Sequence, residues 1–143
     1  MTDGTPDWYV ADSGASTHMK ASPNNLSNAS PYKGNANVMF GNGHTLNVSH
    51  TGHTQLSKDI KLQDVLVVPH LTKNLLSISK LTTDNSVDVL FSQPYFTIQD
   101  RKTGQALARG KCENGLYVIS ADHHQAFVAA ATMKVHMRLG INV

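Results

Sequence analysis

The chain has little cysteine, little charge and no long apolar run. Its one cysteine, Cys112, excludes an internal disulfide framework and favours a reducing compartment, so we expect a cytoplasmic protein. Charged residues make up 15% of the chain, the formal net charge is +2, and lysine and arginine are not clustered among aromatic residues. A nucleic-acid partner is therefore not expected. The lack of a leader-like segment and of an apolar stretch that could cross a bilayer argues against a membrane partner.

What the chain does contain is strand-like sequence. With 143 residues and a mass of 15.5 kDa, it is long enough for one domain with a modest core. Short apolar runs alternate with Gly, Pro, Asn and Asp, which predicts a mostly all-β domain over 8–119 after an N-terminal tail, 1–7. Residues 120–143 are alanine-rich and strand-poor, so we interpret them as a separate tail with a possible C-terminal helix.

Two patterns within this domain predict strand pairs. Gly41-Asn42-Gly43 divides VMFGNGHTLNV into two strand-like pieces. Glycine and asparagine tolerate the positive φ angles of tight turns, so this segment is predicted to be a β-hairpin. Further along the chain, the runs VDVLF, YFTIQ, QALA and GLYVI are separated by turn residues and predict a meander of strands.

One segment has a helical pattern instead. Leu71, Leu75, Ile78 and Leu81 recur at the spacing of successive turns of an α-helix. The pattern predicts a short helix over 71–81 with one apolar face packed on the core.

The segment WYVADSGASTH places one aspartate, Asp12, in a turn of small residues after an apolar run. Trp8 and the residues that follow it are expected to anchor the turn in the core. The hydroxyl of Ser13 can fix the turn by hydrogen bonding, and Gly14 leaves room for close approach of backbone and of a second carboxylate. These features favour one half of an aspartic-protease dyad over the alternative, in which Asp12 only caps a turn.

An aspartic-protease dyad needs two carboxylates about 3 Å apart that share one proton. The motif Asp-Ser/Thr-Gly occurs once in the chain, at residues 12–14. The second carboxylate must therefore come from a second copy of the chain across a two-fold axis. The sequence predicts a homodimer.

These motifs, in this order, resemble the protease segment of copia-type LTR retrotransposon polyproteins. The resemblance starts with WYVADSGASTHM, VMFGNGHTL and DVLVVPHLTKNLLSISKL, and continues through DNSVDVLF, YFTIQDRKTGQAL and GKCENGLYVI. It implies a retropepsin-like closed β-barrel with a flap hairpin and one short helix. The site residues that it implies are the catalytic Asp12, the active-site loop Ser13, Gly14 and Ala15, the flap Phe40, Gly41, Asn42 and Gly43, and the helix start Asn74, Leu75 and Leu76.

The chain departs from the family pattern in three places. Ala11 precedes Asp12 at a position where retropepsins commonly carry a larger aliphatic residue. The glycine that retropepsins usually carry before the terminal helix is not evident, because Leu71-Thr72-Lys73 stands there. VHMRLGIN resembles a degraded start of the pre-integrase zinc region, with Val135 and Asn142 in place of its tryptophan and second histidine. No zinc module can be assembled from this segment, and the other histidines are scattered, so we expect no metal site and no cofactor.

The sequence therefore predicts an aspartic endopeptidase in which each subunit of a homodimer contributes Asp12 and a polypeptide is the substrate. By the resemblance, that substrate is the element's own Gag-Pol polyprotein, processed in the cytoplasm or within virus-like particles. The alternative is a host-adopted, catalytically weak or inactive module that binds peptides or proteins. Residues 84–119 could complete the barrel, swap between subunits or form the dimer interface, which the chain termini build in shorter retropepsins.

Overall fold

A computed structural model describes residues 6–33 and 37–121. These residues form twelve strands and one helix, so the predicted mostly β architecture is confirmed. The first six strands are β1 (Asp7–Asp12), β2 (Met19–Lys20), β3 (Ser27–Pro31), β4 (Asn37–Met39), β5 (Thr45–Asn47) and β6 (His50–Ser57). They are followed by β7 (Ile60–Val67), β8 (Asn74–Ser77), α1 (Ile78–Asn85), β9 (Val87–Ser92), β10 (Tyr95–Asp100), β11 (Ala106–Glu113) and β12 (Leu116–Ala121).

Ten of these strands form one sheet in the order β3-β6-β7-β2-β8-β1-β12-β11-β10-β9, while β4 and β5 form a separate hairpin. β1 lies inside the sheet, parallel to β8 on one side and antiparallel to β12 on the other. β3 and β9 end the order, and the described residues show no pairing between them. The sheet is therefore barrel-like, but it is not hydrogen-bonded into the closed barrel that the resemblance implies.

The apolar pattern of β7 shows how a strand is directed toward the core. Ile60 and Leu62 are buried, and so are Val65 and Val67, so the alternation shifts by one position between the two pairs. A β-bulge takes up the extra residue, because the register with β6 is irregular there and Asp64 has a φ of 52°. The bulge keeps apolar residues from both halves of the strand on the buried side of the sheet.

The predicted helix start at Asn74-Leu75-Leu76 is wrong. Residues Asn74–Ser77 form strand β8, and the helix covers Ile78–Asn85 rather than 71–81. β8 is inserted between β2 and β1, where its backbone gains sheet hydrogen bonds and Leu76 becomes fully buried. Tertiary pairing therefore overrides a short apolar pattern that suits either structure. In the described residues no helix is long and apolar enough to cross a membrane.

The apolar run before Asp12 is anchored by a different residue from the one predicted. Trp8 is 49% exposed, whereas Tyr9 is fully buried. Successive side chains of a strand point to opposite faces, so only one of these two aromatic residues can reach the core. Trp8 instead lies under Lys111, whose Nζ is 5.3 Å from the indole ring centroid. Burial raises the pKa of the Tyr9 phenol, with the nearby Asp7 charge as the smaller cause.

The meander predicted for the second half of the domain is confirmed as strands β9 to β12. β12 pairs with β1, from Asp7 opposite Ala121 to Val10 opposite Val118. These strands therefore extend the sheet of their own chain. Of the tail predicted over 120–143, the first two residues complete β12, and the possible C-terminal helix lies outside the described residues.

Candidate active site

Asp12 is the last residue of β1, and its carboxylate is held by the turn that follows. The Gly14 amide donates to Asp12 Oδ1 at 2.8 Å, and the Ala15 amide approaches the Asp12 carbonyl oxygen at 3.4 Å. Ser13 and Gly14 are exposed at the apex, while Asp12 and Ala15 are half-buried. The turn thus orients a carboxylate at the protein surface without using a second side chain.

The space around Gly14 supports the reason given for a glycine at this position. A Cβ built on Gly14 would lie 3.3 Å from Asp12 Oδ1, tighter than most contacts of a real Cβ atom. The φ angle of Gly14 is not in the left-handed region, so the constraint is steric rather than conformational. A side chain at position 14 would crowd the Asp12 oxygen that accepts the hydrogen bond from the Gly14 amide.

β8 supports the turn from its other side. In the parallel register Ala11 lies opposite Leu76 and Asp12 lies opposite Ser77. Ser77 Oγ donates to the Ala15 carbonyl at 2.7 Å and accepts from the Lys80 amide at 3.2 Å, which makes Ser77 the N-cap of α1. One hydroxyl therefore joins the Asp12 turn to the start of the helix.

Behind Ser77 lies a histidine that sequence reasoning missed. The His18 side chain is fully buried, and its Nδ1 accepts from the Ser77 amide at 3.0 Å. Because Nδ1 is the acceptor, the neutral ring carries its proton on Nε2, and this atom has no hydrogen-bond partner among the described residues. Burial, and secondarily the Lys80 charge, lower the pKa of His18 to about 4, while Asp84 opposes this shift.

The hairpin predicted around Gly41-Asn42-Gly43 is confirmed. β4 and β5 pair antiparallel, and the Phe40 amide donates to the His44 carbonyl at 2.8 Å. Gly43 has a φ of 86°, a value that glycine adopts without strain, and the His44 amide donates to Asn42 Oδ1 at 3.0 Å. A closing function for this hairpin stays a prediction.

The hairpin and the Asp12 turn rest on neighbouring parts of one support. Phe40 at the tip and Leu46 on β5 pack against a small core around Met19 and Val68, to which Leu75 of β8 also contributes. No hydrogen bond joins the hairpin to Asp12 in the part of the chain that the structure describes. The predicted site residues thus form two separate groups, the Asp12 turn and the hairpin. Both groups contact β8, but they do not form one cluster.

No second carboxylate completes the site within the described chain. Asp64 and Asp84 are both ion-paired with Lys80, at 3.9 and 3.1 Å, and Asp88 is paired with Arg101. Residues 6–33 and 37–121 also contain no group of three or more His, Cys, Asp or Glu side chains placed to bind a metal. Asp12 has no ion pair among the described residues, and neither do Asp59 and Asp100. The Asp100 carboxylate is also held by amides of its own turn, so Asp12 differs from these two in its Asp-Ser-Gly sequence.

Comparison with known proteins identifies the family. Residues 8–86 match the family described as Pol polyprotein, beta-barrel domain. The chain belongs to this family. The match contains the Asp12 turn, the hairpin, β8 and all of α1, whereas β9 to β12 of this Pol β-barrel domain lie beyond it.

Curated relatives confirm the resemblance to copia-type Pol polyproteins. The domain is 37% identical over 142 residues to the retrovirus-related Pol polyprotein from transposon RE1 of Arabidopsis thaliana, an alignment that covers 92% of this chain and 10% of the relative. It is 39% identical over 112 residues to the corresponding polyprotein from transposon RE2 of the same plant, covering 76% of this chain and 8% of the relative. The chain thus spans about a tenth of these relatives' length. No solved structure matches it significantly.

The supporting residues had partial signals in the sequence. Ser77 directly precedes α1, and serine is a preferred N-cap, so a correct helix start would have identified it. Ser77 is the residue directly before the helix, whereas the family resemblance places Leu71-Thr72-Lys73 directly before it. His18 carried no signal of its own, because nothing in the sequence indicates that this histidine is buried.

Proposed function

We propose that this Pol β-barrel domain is an aspartic endopeptidase that acts as a homodimer, with one Asp12 from each subunit. The observation that carries the proposal is the Asp12 turn, in which an Asp-Ser-Gly sequence sets a carboxylate beside an exposed apex. The Gly14 amide holds this carboxylate, and no cation lies within ion-pair distance of it among the described residues.

The chemistry follows from pairing two such turns across a two-fold axis. Two carboxylates about 3 Å apart cannot both ionise, so they share one proton and titrate as a pair. The ionised partner takes a proton from a water held between them, and this water attacks the peptide carbonyl. The protonated partner donates to the carbonyl oxygen, and this gives a tetrahedral diol. The C–N bond of the diol then breaks as the proton taken from the water passes to the leaving nitrogen. Because the nucleophile is water, no covalent intermediate with the protein forms.

The topology restricts where a second subunit could bind. β12 covers β1 only from Asp7 to Val10, and Ala11 and Asp12 have no pairing partner on that side among the described residues. The end of β1 that carries the turn is therefore open to a second copy. The exposed Ser13 and Gly14 would then meet their equivalents at the axis.

The hairpin has a place in this mechanism. We propose that the hairpin around Gly41-Asn42-Gly43 closes over an extended polypeptide and pairs with its backbone as an added strand does. The three turn residues are exposed, and nothing in the described structure packs against added atoms at Gly41 or Gly43. By similarity to the Pol polyproteins, the substrate would be the polyprotein that contains this domain.

A binding module without catalysis is the second candidate, and one observation favours it. The chain's own β12 occupies the edge of β1, so the strand exchange by which termini build the dimer in shorter retropepsins is blocked over Asp7 to Val10. A monomer, or a dimer with distant Asp12 carboxylates, would be able to bind peptides but not to cut them.

Peptide cleavage at mildly acidic pH, measured with Asp12→Asn as the control, tests the proposal. We expect the wild-type protein to cleave and the variant to be at least about 100-fold slower, because the general base is lost. Equal activity of the two proteins would contradict the proposal. Sedimentation of the same samples distinguishes the candidates, because catalysis requires a dimer and binding does not.

A further inference from the structure

We infer that Ser77 and His18 are positioning residues, which hold the Asp12 turn in the geometry that the reaction requires. Their effect on catalysis rests on the proposed function, whereas their effect on the turn is a property of the fold alone. Neither residue was assigned a function from the sequence, and neither is expected to contact substrate, since both are fully buried.

Ser77 fixes the far side of the Asp12 turn. Asp12 at the near side is fixed by its pairing opposite Ser77 in the parallel register of β1 and β8. Ala15 at the far side is fixed by the Ser77 hydroxyl, which donates to its carbonyl at 2.7 Å. Both ends of the turn are thus tied to one residue, and only Ser13 and Gly14 are left free at the apex.

The Ser77 hydroxyl has a defined direction. It carries one proton, and its oxygen already accepts from the Lys80 amide at the start of α1. The Ala15 carbonyl at 2.7 Å is a closer acceptor for this proton than the Ser79 hydroxyl at 3.3 Å, which can instead donate to Ser77 Oγ. The helix cap and the bond to the turn therefore use different parts of the same hydroxyl. Replacement of this hydroxyl releases the turn even where the helix itself is kept.

His18 fixes the backbone of Ser77. The Ser77 amide donates to Nδ1 of a fully buried imidazole whose other nitrogen has no partner in the described residues. An apolar side chain would remove the unpaired Nε2, but it would leave the buried Ser77 amide without its acceptor. What the imidazole adds is an acceptor for Ser77, directly behind the Asp12 turn.

The test uses two side chains of nearly the same shape at position 18. His18→Asn places an amide oxygen where Nδ1 accepts, whereas His18→Leu offers no acceptor. A third variant, Ser77→Gly, removes the hydroxyl but keeps a residue that caps helices almost as well as serine. Ile60→Val is the control for a general loss of stability, because Ile60 is fully buried on β7 and forms no part of this network.

The first measurement is the NMR shift of the Gly14 amide proton as the pH is varied. This proton is donated to Asp12 Oδ1, so its shift follows the ionisation of that carboxylate. We expect the pH-dependent shift to persist in His18→Asn and Ile60→Val, and to fall by about half or more in His18→Leu and Ser77→Gly. The inference would be overturned if the pH-dependent shift were unchanged in His18→Leu and Ser77→Gly. It would also be overturned if Ile60→Val reduced this shift as much as those two variants do.

The second measurement is peptide cleavage by the same variants. His18→Leu and Ser77→Gly should reduce kcat about tenfold while KM changes less than about twofold, because the turn is misplaced but the substrate groove is kept. His18→Asn should keep kcat near the wild-type value, because the asparagine side chain still offers an acceptor to the Ser77 amide. A kcat at the wild-type level in all variants would overturn the positioning role, whereas inactivity of the wild-type protein would refute the proposed function and leave the NMR result decisive.

Discussion

The two ends of β1 each carry an aspartate, and the two carboxylates are held in opposite ways. Asp7 accepts from the fully buried Lys20 at 2.8 Å and from Asn25 Nδ2 at 3.2 Å. Asp12 accepts from an amide of its own turn, and no cation lies within ion-pair distance of it in the described residues. The fold therefore neutralises the charge of Asp7, whereas it leaves Asp12 without an ion pair among the described residues.

The largest expected difference between the two ends is in stability. Asp7→Asn leaves the buried Lys20 without its counter-charge, so we expect the free energy of unfolding to fall by about 3 kcal/mol. Asp12→Asn should change it by less than about 0.5 kcal/mol, because Asp12 is only half-buried and has no ion pair among the described residues, and asparagine keeps an oxygen for the Gly14 amide. Denaturant unfolding of the two variants checks this contrast. Equal losses would mean that Asp12 is also a structural residue.

Acid should weaken the Asp12 end through His18. The pKa of His18 is lowered to about 4 in the folded protein, against about 6.5 when unfolded, so the unfolded chain binds more protons between these values. Stability is therefore complete above pH 6.5 and falls by about 3 kcal/mol or less as the pH drops toward 4. The pH dependence of chemical unfolding measures this loss. His18→Asn should flatten the curve over that range, and a curve parallel to wild type would contradict the assignment.

A smaller effect is expected from Asn74, which ties the Asp7 end of β1 to its neighbours. Asn74 Oδ1 accepts from the Ala21 amide at 2.9 Å, and its Nδ2 donates to the Trp8 carbonyl at 3.1 Å. Asn74→Ala should lower the free energy of unfolding by about 1–2 kcal/mol, because both bonds are lost. Asn74→Asp keeps the acceptor and should lose less. Identical values for the two variants would show that these bonds do not stabilise the sheet.

The effect of Gly14→Ala on stability is expected to be smaller than that of Asn74→Ala. The Cβ of Gly14→Ala would lie 3.3 Å from Asp12 Oδ1, a contact that a shift of a few tenths of an ångström relieves. The free energy of unfolding should therefore change by less than about 1 kcal/mol. The rate of peptide cleavage should nevertheless fall about tenfold or more. The added methyl group displaces the Asp12 carboxylate and leaves less room for the Asp12 carboxylate of the second subunit. A variant with full activity would show that the glycine is not needed for the site.

The features that the sequence predicted correctly are those determined by neighbouring residues. The Asp12 turn and the hairpin at Gly41-Asn42-Gly43 depend on small residues at fixed positions, and both form where expected. The strands from Val87 onward follow from apolar runs separated by turn residues. Such local signals do not depend on how the elements pack together.

The features that it missed depend on tertiary contacts. Asn74–Ser77 became a strand because β2 and β1 provide partners on both sides. Strand β3, Ser27–Pro31, has no apolar alternation and all of its residues are exposed, so it forms only by pairing with β6. His18 supports the site through a contact with Ser77, which is 59 positions away in the chain. No pattern within a short window of sequence reports such a contact.

The most direct test of the account is a titration of wild-type subunits with Asp12→Asn subunits, followed by peptide cleavage. If each site needs an Asp12 from both chains, mixed dimers are inactive, and an equal mixture should retain about one quarter of the activity of undiluted wild-type protein. Activity of about three quarters would show that one Asp12 per dimer suffices, and activity of about one half would show that each subunit acts independently. Either result would contradict the shared site.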